Sequence, residues 1–165
     1  MARRQVPEGL ATQHARADES PGFLLWQVTN RWQAAQRAAL KPFDITHVQF
    51  VLLASLTWLG TSGTTGRSST VSQRELAQHA ATDPMMTSQV LRVLEARGLV
   101  VRAPHPTDGR AWSLQVTARG RALANRAVVA VEACDDAFFA PLGPRSRDLV
   151  ALLRQLTPTP ASGSA

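Results

Sequence analysis

Residues 83–117, DPMMTSQVLRVLEARGLVVRAPHPTDGRAWSLQVT, decide the fold. Asp83 followed by Pro84 reads as a helix start: an acidic cap, then a proline whose missing N–H is no loss at the first helical position. Val90, Leu91 and Leu94 recur at three- and four-residue spacing and predict the buried stripe of that helix. The opposite face carries Met85, Met86, Ser88, Gln89, Arg92 and Val93. Ser88 and Gln89 can hydrogen-bond base edges and Met86 offers an apolar surface to a thymine methyl, although an ordinary solvated helix face has the same composition. Gly98 suits the left-handed residue that follows a helix. Residues 99–101 are short and β-branched, and residues 112–116 alternate apolar with polar, so two strands are expected. The connection, PHPTDGR at 104–110, has the prolines and the Asp-Gly pair of a turn. Arg110 at such a tip adds little to stability, but it fits the focused negative potential of a DNA minor groove.

Upstream, Ser72 and Glu75 form a capping box that opens a short helix, QRELAQHA, with Leu76 and Ala77 facing inward. Residues 81–84 then make a tight turn, and two short helices joined this way describe a helix-turn-helix. Thr46 and Gln49 form a second capping box, opening a helix to about Leu59 in which Val48, Val51, Leu52, Ala54, Leu56 and Trp58 are expected to be buried. His47 in its first turn reads as a satisfied polar group; the alternative is a ligand-anchoring or pH-sensing role. Residues 60–70, GTSGTTGRSST, read as a long connection and lack the lysine and spacing of a phosphate-binding loop.

Ser20 and Pro21 start the first helix, which runs to about Leu40 with Phe23, Leu24, Leu25, Val28, Trp32, Ala35 and Ala39 apolar. That face is wider than one small core requires. Trp26 and Trp32 on it fit core packing, a subunit interface or an aromatic ligand cavity. Downstream, a long helix is expected from about Ala118 to Phe139, with Leu123, Ala127, Val128, Val131, Phe138 and Phe139 apolar, followed by a shorter one over 145–156. Neither belongs to the helix-turn-helix, so their apolar surface must be buried elsewhere, with the first helix in a subunit interface or as a third layer within one subunit. Residues 1–19 read as a loose arm and 157–165 as a disordered tail.

The chain has 165 residues and a formal charge of +6, and of its 18 basic residues only Lys41 is not arginine. A basic balance favours polyanionic partners, while the arginine-for-lysine bias also fits a GC-rich coding background. Between Pro84 and Arg126 stand seven arginines (92, 97, 102, 110, 119, 121 and 126) against Glu95 and Asp108. The single cysteine, Cys134, cannot form an intramolecular disulfide and fits a reducing compartment. The N-terminus lacks a signal-peptide core and no apolar run approaches the roughly 20 residues of a membrane span, so a soluble, cytoplasmic protein without a membrane partner is expected. His14, His47, His79, His105 and Cys134 stand at no metal-ligand spacing and no acid pair has a plausible partner. No metal, no cofactor and no enzymatic activity are expected.

These features together resemble the MarR family of winged helix-turn-helix transcriptional regulators, over about residues 22–156 and most densely over 71–120. The resemblance is carried by SQRELA, by the second helix opening in DPMMTSQVLRVLEARGLVVR, by the wing pattern Asp108-Gly109-Arg110, then Leu114, and by Thr117 and Gly120 in the T-x-x-G that opens the next helix. It implies a mainly α (α+β) fold: a winged helix-turn-helix over 46–117 between dimerisation helices over 20–40 and 118–156. It also implies a homodimer on a pseudo-palindromic operator in double-stranded DNA. Met85, Met86, Ser88, Gln89 and Arg92 would face bases or phosphates, Asp108 would brace Arg110 for the minor groove, and Ser72, Gln73 and Arg74 would lie near phosphates. Two departures stand out: the connection over 60–70 is longer than is usual in the family, and Gly109 replaces an often charged residue. The family's redox branch uses a cysteine near the N-terminus, which is absent here. Acidic neighbours Asp135 and Asp136 would raise the Cys134 thiol pKa, so an inert thiol is expected.

The function expected is that of a repressor released by a small amphipathic or aromatic molecule, with Trp26, Trp32, His47 and Phe50 lining its site. The alternatives are a winged helix used only for protein contacts and a redox-switched regulator using Cys134.

Overall fold

The computed structural model describes residues 10–61, 71–104 and 112–157. The chain divides into two compact units, Met1–Ala34 and Ala35–Ala165. Helix α1 (Pro21–Leu40) begins in the first and ends in the second. At its start the Ser20 hydroxyl accepts from the Phe23 N–H at 3.3 Å, as a cap should. A single 3-10 turn, Ala17–Glu19, precedes it, held by an exposed Arg16–Asp18 ion pair at 2.7 Å.

In the second unit, a 3-10 turn at Lys41–Phe43 leads to α2 (His47–Thr61), then β1 (Val71–Ser72), α3 (Gln73–His79), α4 (Pro84–Ala96), β2 (Val100–Pro104) and β3 (Trp112–Val116). Helix α5 (Ala118–Phe139), a bent 3-10 stretch at Ala140–Arg145 and α6 (Ser146–Leu156) follow. The strands form an antiparallel sheet in the order β1-β3-β2, with Val71 opposite Leu114 and Val100 opposite Val116. Pro104 ends an edge strand, where its missing N–H breaks no ladder.

Helix α2 lies at the centre, against α3, α4, α5 and the sheet. Its Leu52, Leu53 and Leu56 meet Leu76 of α3, Leu91 and Leu94 of α4, Leu99, Val100 of β2, Leu114 of β3, and Leu123 and Ala127 of α5 in one buried cluster. Both expected capping boxes form. The Ser72 hydroxyl accepts from the Glu75 N–H at 3.2 Å while the Glu75 carboxylate accepts from the Ser72 N–H at 2.7 Å, and Thr46 and Gln49 do the same at 3.3 and 3.0 Å.

Several local expectations are corrected. Strand β2 reaches Pro104 rather than stopping at Val101, because Arg102 to Pro104 continue the ladder on β3. Strand β1 was not expected: two residues are too few for an alternating pattern, and only tertiary pairing with β3 makes them a strand. Helix α2 continues through Gly60 to Thr61, into the start of the expected loop. Trp58, expected to be buried, is 67% exposed, because the helix turns that position away from the core.

Candidate nucleic-acid interface

The turn between α3 and α4 is locked at several points. Ala81 adopts a left-handed conformation (φ 50°), and the Thr82 N–H donates back to the Ala77 carbonyl at 3.0 Å. One Asp83 carboxylate oxygen accepts from the Met85 and Met86 N–H groups at 2.8 and 3.0 Å. Thr87, fully buried, donates its hydroxyl to the Asp83 carbonyl at 2.8 Å and lies 2.8 Å from the Thr82 hydroxyl. Thr87 thus ties the first turn of α4 to the turn that precedes it. Nothing in the sequence marks it, since a threonine inside a polar face carries no periodic signal.

With that end fixed, α4 turns Val90, Leu91 and Leu94 towards the core and leaves Met85, Met86, Gln89, Arg92 and Val93 exposed, with Ser88 half-buried. Met85 is 72% exposed, a large apolar side chain held in solvent at the first turn of a capped helix. At the start of α3, Ser72 and Gln73 are half-buried and Arg74 is exposed. Asp108, Gly109 and Arg110 lie outside the described residues; what is described is the β2–β3 ladder, whose last pair, Pro104 with Trp112, brackets them.

The arginines divide by role. Arg102 pairs through Nε with Glu95 at 3.2 Å, both largely covered, and so ties β2 to α4. Arg97 donates to the Asp44 carbonyl at 2.6 Å and meets the Asp44 carboxylate at 3.3 Å. Two of the seven arginines counted above as a basic cluster are therefore structural ties. Arg92, Arg119, Arg121 and Arg126 are exposed.

The residues expected to bind a ligand fall in different places. Trp26 is 67% exposed and Trp32 half-buried, both in the first unit. Phe50 belongs to the core of the second unit. His47, half-buried at the start of α2, has its pKa lowered by burial; Asp135 pulls it up and Arg37 pushes it down. Fully buried Gln36 donates to that same Asp135 carboxylate at 2.6 Å. The Cys134 thiol is pushed up by burial and then by Asp135, so it stays protonated near neutrality. Among the described residues, no group of three His, Cys, Asp or Glu side chains could hold a metal ion. No single helix among them is long and apolar enough to cross a membrane.

A short helix, a locked turn, a second helix with an outward polar and methionine face, and an antiparallel hairpin after it define a winged helix-turn-helix transcriptional regulator. Residues 44–111 match the MarR family. YdcH of Bacillus subtilis, an uncharacterised HTH-type transcriptional regulator, is 45% identical over 121 residues, covering 73% of this chain and 79% of that one. The HTH-type transcriptional repressor Rv2887 of Mycobacterium tuberculosis is 37% identical over 142 residues, covering 85% and 96%. Solved structures of the M. tuberculosis MarR family protein Rv2887 also match. Its complex with DNA has a TM-score of 0.64 at 34% identity, covering 84% of this chain and 98% of that one. Its complex with salicylic acid has a TM-score of 0.63 at 37% identity, covering 86% and 100%. The chain belongs to the MarR family.

Proposed function

We propose that the protein is a dimeric, sequence-specific, cytoplasmic repressor that binds a pseudo-palindromic operator and is released by a small amphipathic or aromatic molecule. The observation that carries this reading is the first turn of α4. Asp83 and Thr87 fix its direction, while Met85, Met86, Gln89 and Arg92 are left facing solvent. In the proposed complex, Met85, Met86, Ser88, Gln89 and Arg92 meet base edges and phosphates in the major groove. Ser72, Gln73 and Arg74 approach the backbone, and Arg110, braced by Asp108, enters the minor groove.

One relative supports the regulatory half: Rv2887 is a repressor and has been solved with DNA and with salicylic acid. For the effector, Trp26 and Trp32 on α1 and, separately, His47 and Phe50 on α2 are the candidate contacts. Release follows if the ligand changes the spacing of two recognition helices that must lie one helical turn, about 34 Å, apart.

The test is a gel-shift series on the gene's own upstream DNA. Binding should weaken steeply with salt as phosphate contacts release counterions, and Arg110→Ala should weaken it by roughly 1–3 kcal/mol. Absence of duplex binding at low salt would instead favour a winged helix used only for protein contacts. Peroxide-induced release that disappears in Cys134→Ser would move the switch to the thiol.

A further inference from the structure

The three methionines of the chain are unevenly placed: Met1 lies outside the described residues, and Met85 and Met86 stand side by side in the first turn of α4. Met85 is 72% exposed and Met86 39%, and neither belongs to the buried cluster at the centre of the second unit. Their backbone is nevertheless fixed. Both N–H groups donate to one Asp83 carboxylate oxygen, and Thr87, one residue on, is buried and bonded to Asp83 and Thr82. Leucine would form this helix as readily and offer a similar apolar area. What methionine adds is a polarisable sulfur with a free lone pair, here held in solvent.

A thioether carries no proton, so its lone pair is available at any pH. Cys134, the other sulfur among the described residues, is half-buried on α5. Its thiol is pushed up by burial and then by Asp135, so little thiolate is present near neutrality. An oxidant that attacks soft sulfur therefore meets Met85 and Met86 before Cys134.

We propose that Met85 and Met86 are an oxidative modification site for hypochlorous acid and related hypohalous acids, at which sulfoxide formation releases DNA without unfolding the protein. The sulfur lone pair takes chlorine from hypochlorous acid and hydroxide leaves. Water then adds to sulfur as chloride and two protons depart, one of them neutralising the hydroxide. The thioether is oxidised by two electrons and the chlorine is reduced to chloride, so no reactant besides water is needed. The new sulfoxide oxygen is a strong acceptor on the face that meets base edges, where N7, O6 and O4 are acceptors already. Gln89 stands four positions on from Met85 on the same face, so that oxygen also competes with a base for the Gln89 amide. The core is untouched, because neither side chain contributes to it. The modification stands without the DNA reading; the release rests on it.

The test treats the full chain at neutral pH with hypochlorous acid in stepwise additions up to equimolar, each quenched with free methionine. Peptide mapping should find added oxygen on Met85 and Met86 ahead of Cys134. On the gene's own upstream DNA the apparent Kd should rise about tenfold or more, the size expected when a polar group is buried unpaired. The unfolding temperature should stay that of untreated protein. Methionine sulfoxide reductases A and B should restore binding, and dithiothreitol alone should not. Cys134→Ser should lose as much affinity as wild type. Met85→Leu with Met86→Leu, whatever its own starting affinity, should lose none on treatment. That double variant keeps Met1 and all four tryptophans, so it controls for oxidation elsewhere.

Oxygen placed on Met85 and Met86 with DNA affinity unmoved would overturn the proposal. So would a loss that persists in the double variant, that vanishes in Cys134→Ser, or that the reductases do not repair. If the double variant binds no DNA, repair of the wild type, mapped to Met85 and Met86, decides. Untreated protein that binds no duplex at low salt defeats the DNA reading itself. The release then falls with it, and the peptide map still decides whether these thioethers are attacked first.

Discussion

His47 shows how much a single position depends on its surroundings. Burial lowers its pKa below the ordinary 6.5, and Asp135 only partly opposes this. Above that ordinary value the imidazole is neutral in both folded and unfolded chains and leaves stability unchanged. As pH falls through it, the unfolded chain takes up the proton first, so the fold loses stability until the lowered folded pKa is passed. His47→Gln should therefore lose less unfolding temperature than wild type between about pH 6.5 and pH 5, the window below the unperturbed histidine value. Parallel melting curves across that range would show that His47 does not titrate differently on folding. Fully buried Gln36, bonded to Asp135 beside it, was invisible in the sequence for the same reason. One glutamine among the alanines of α1 has no pattern, and only the approach of α5 gives it a partner.

At the scale of elements, the start of α5 lies hard against Leu99, the residue that leads into β2. Thr117 caps α5 by accepting from the Gly120 N–H at 3.0 Å, and its hydroxyl donates to the Gly98 carbonyl at 2.8 Å. The helix therefore starts directly against the residues that leave α4. A Cβ at Gly120 would collide with the carbonyl oxygen of Leu99, a backbone atom that cannot swing aside. Helix propensity alone would favour alanine there by about 1 kcal/mol. The collision should win, and Gly120→Ala should destabilise the fold by about 2–3 kcal/mol in chemical denaturation. A variant as stable as wild type would mean that β2 and α5 are free to separate. Gly98 was readable from the sequence as the left-handed residue ending α4, and it is (φ 66°). Gly120 is marked in the sequence only by the T-x-x-G pattern, because its close neighbour, Leu99, lies far from it along the chain.

Across the whole molecule, the surplus apolar surface of the second unit lies on α6. On α6, Leu152 and Leu156 are 58% and 77% exposed, with Val150 and Leu153 also in solvent. That exposure favours a second copy of the chain over a third layer within one subunit as the cover. The chain should sediment at twice its 17.8 kDa mass, and Leu152→Asp with Leu156→Asp should shift it towards the monomer, since burying two unpaired carboxylates is unfavourable. A dimer of unchanged strength in that variant would remove α6 from the interface.

The order of the helices and of the two wing strands, the capping boxes, the turn before α4 and the core stripe of α4 were legible in the sequence, because each is written in neighbouring residues through periodicity, a capping oxygen or a proline. Tertiary structure decided what depends on residues far apart in the chain. Val71 and Ser72 become a strand only against β3, and Trp58 turns outward because Leu52, Leu53 and Leu56 fill the core. Arg97 and Arg102 leave the basic face because Asp44 and Glu95 stand within reach of them, and Arg37 joins Lys41 around a cavity. Local patterns set which segments are helices. Long-range contacts, whose partners no local pattern names, set what each charged or aromatic side chain is there to meet.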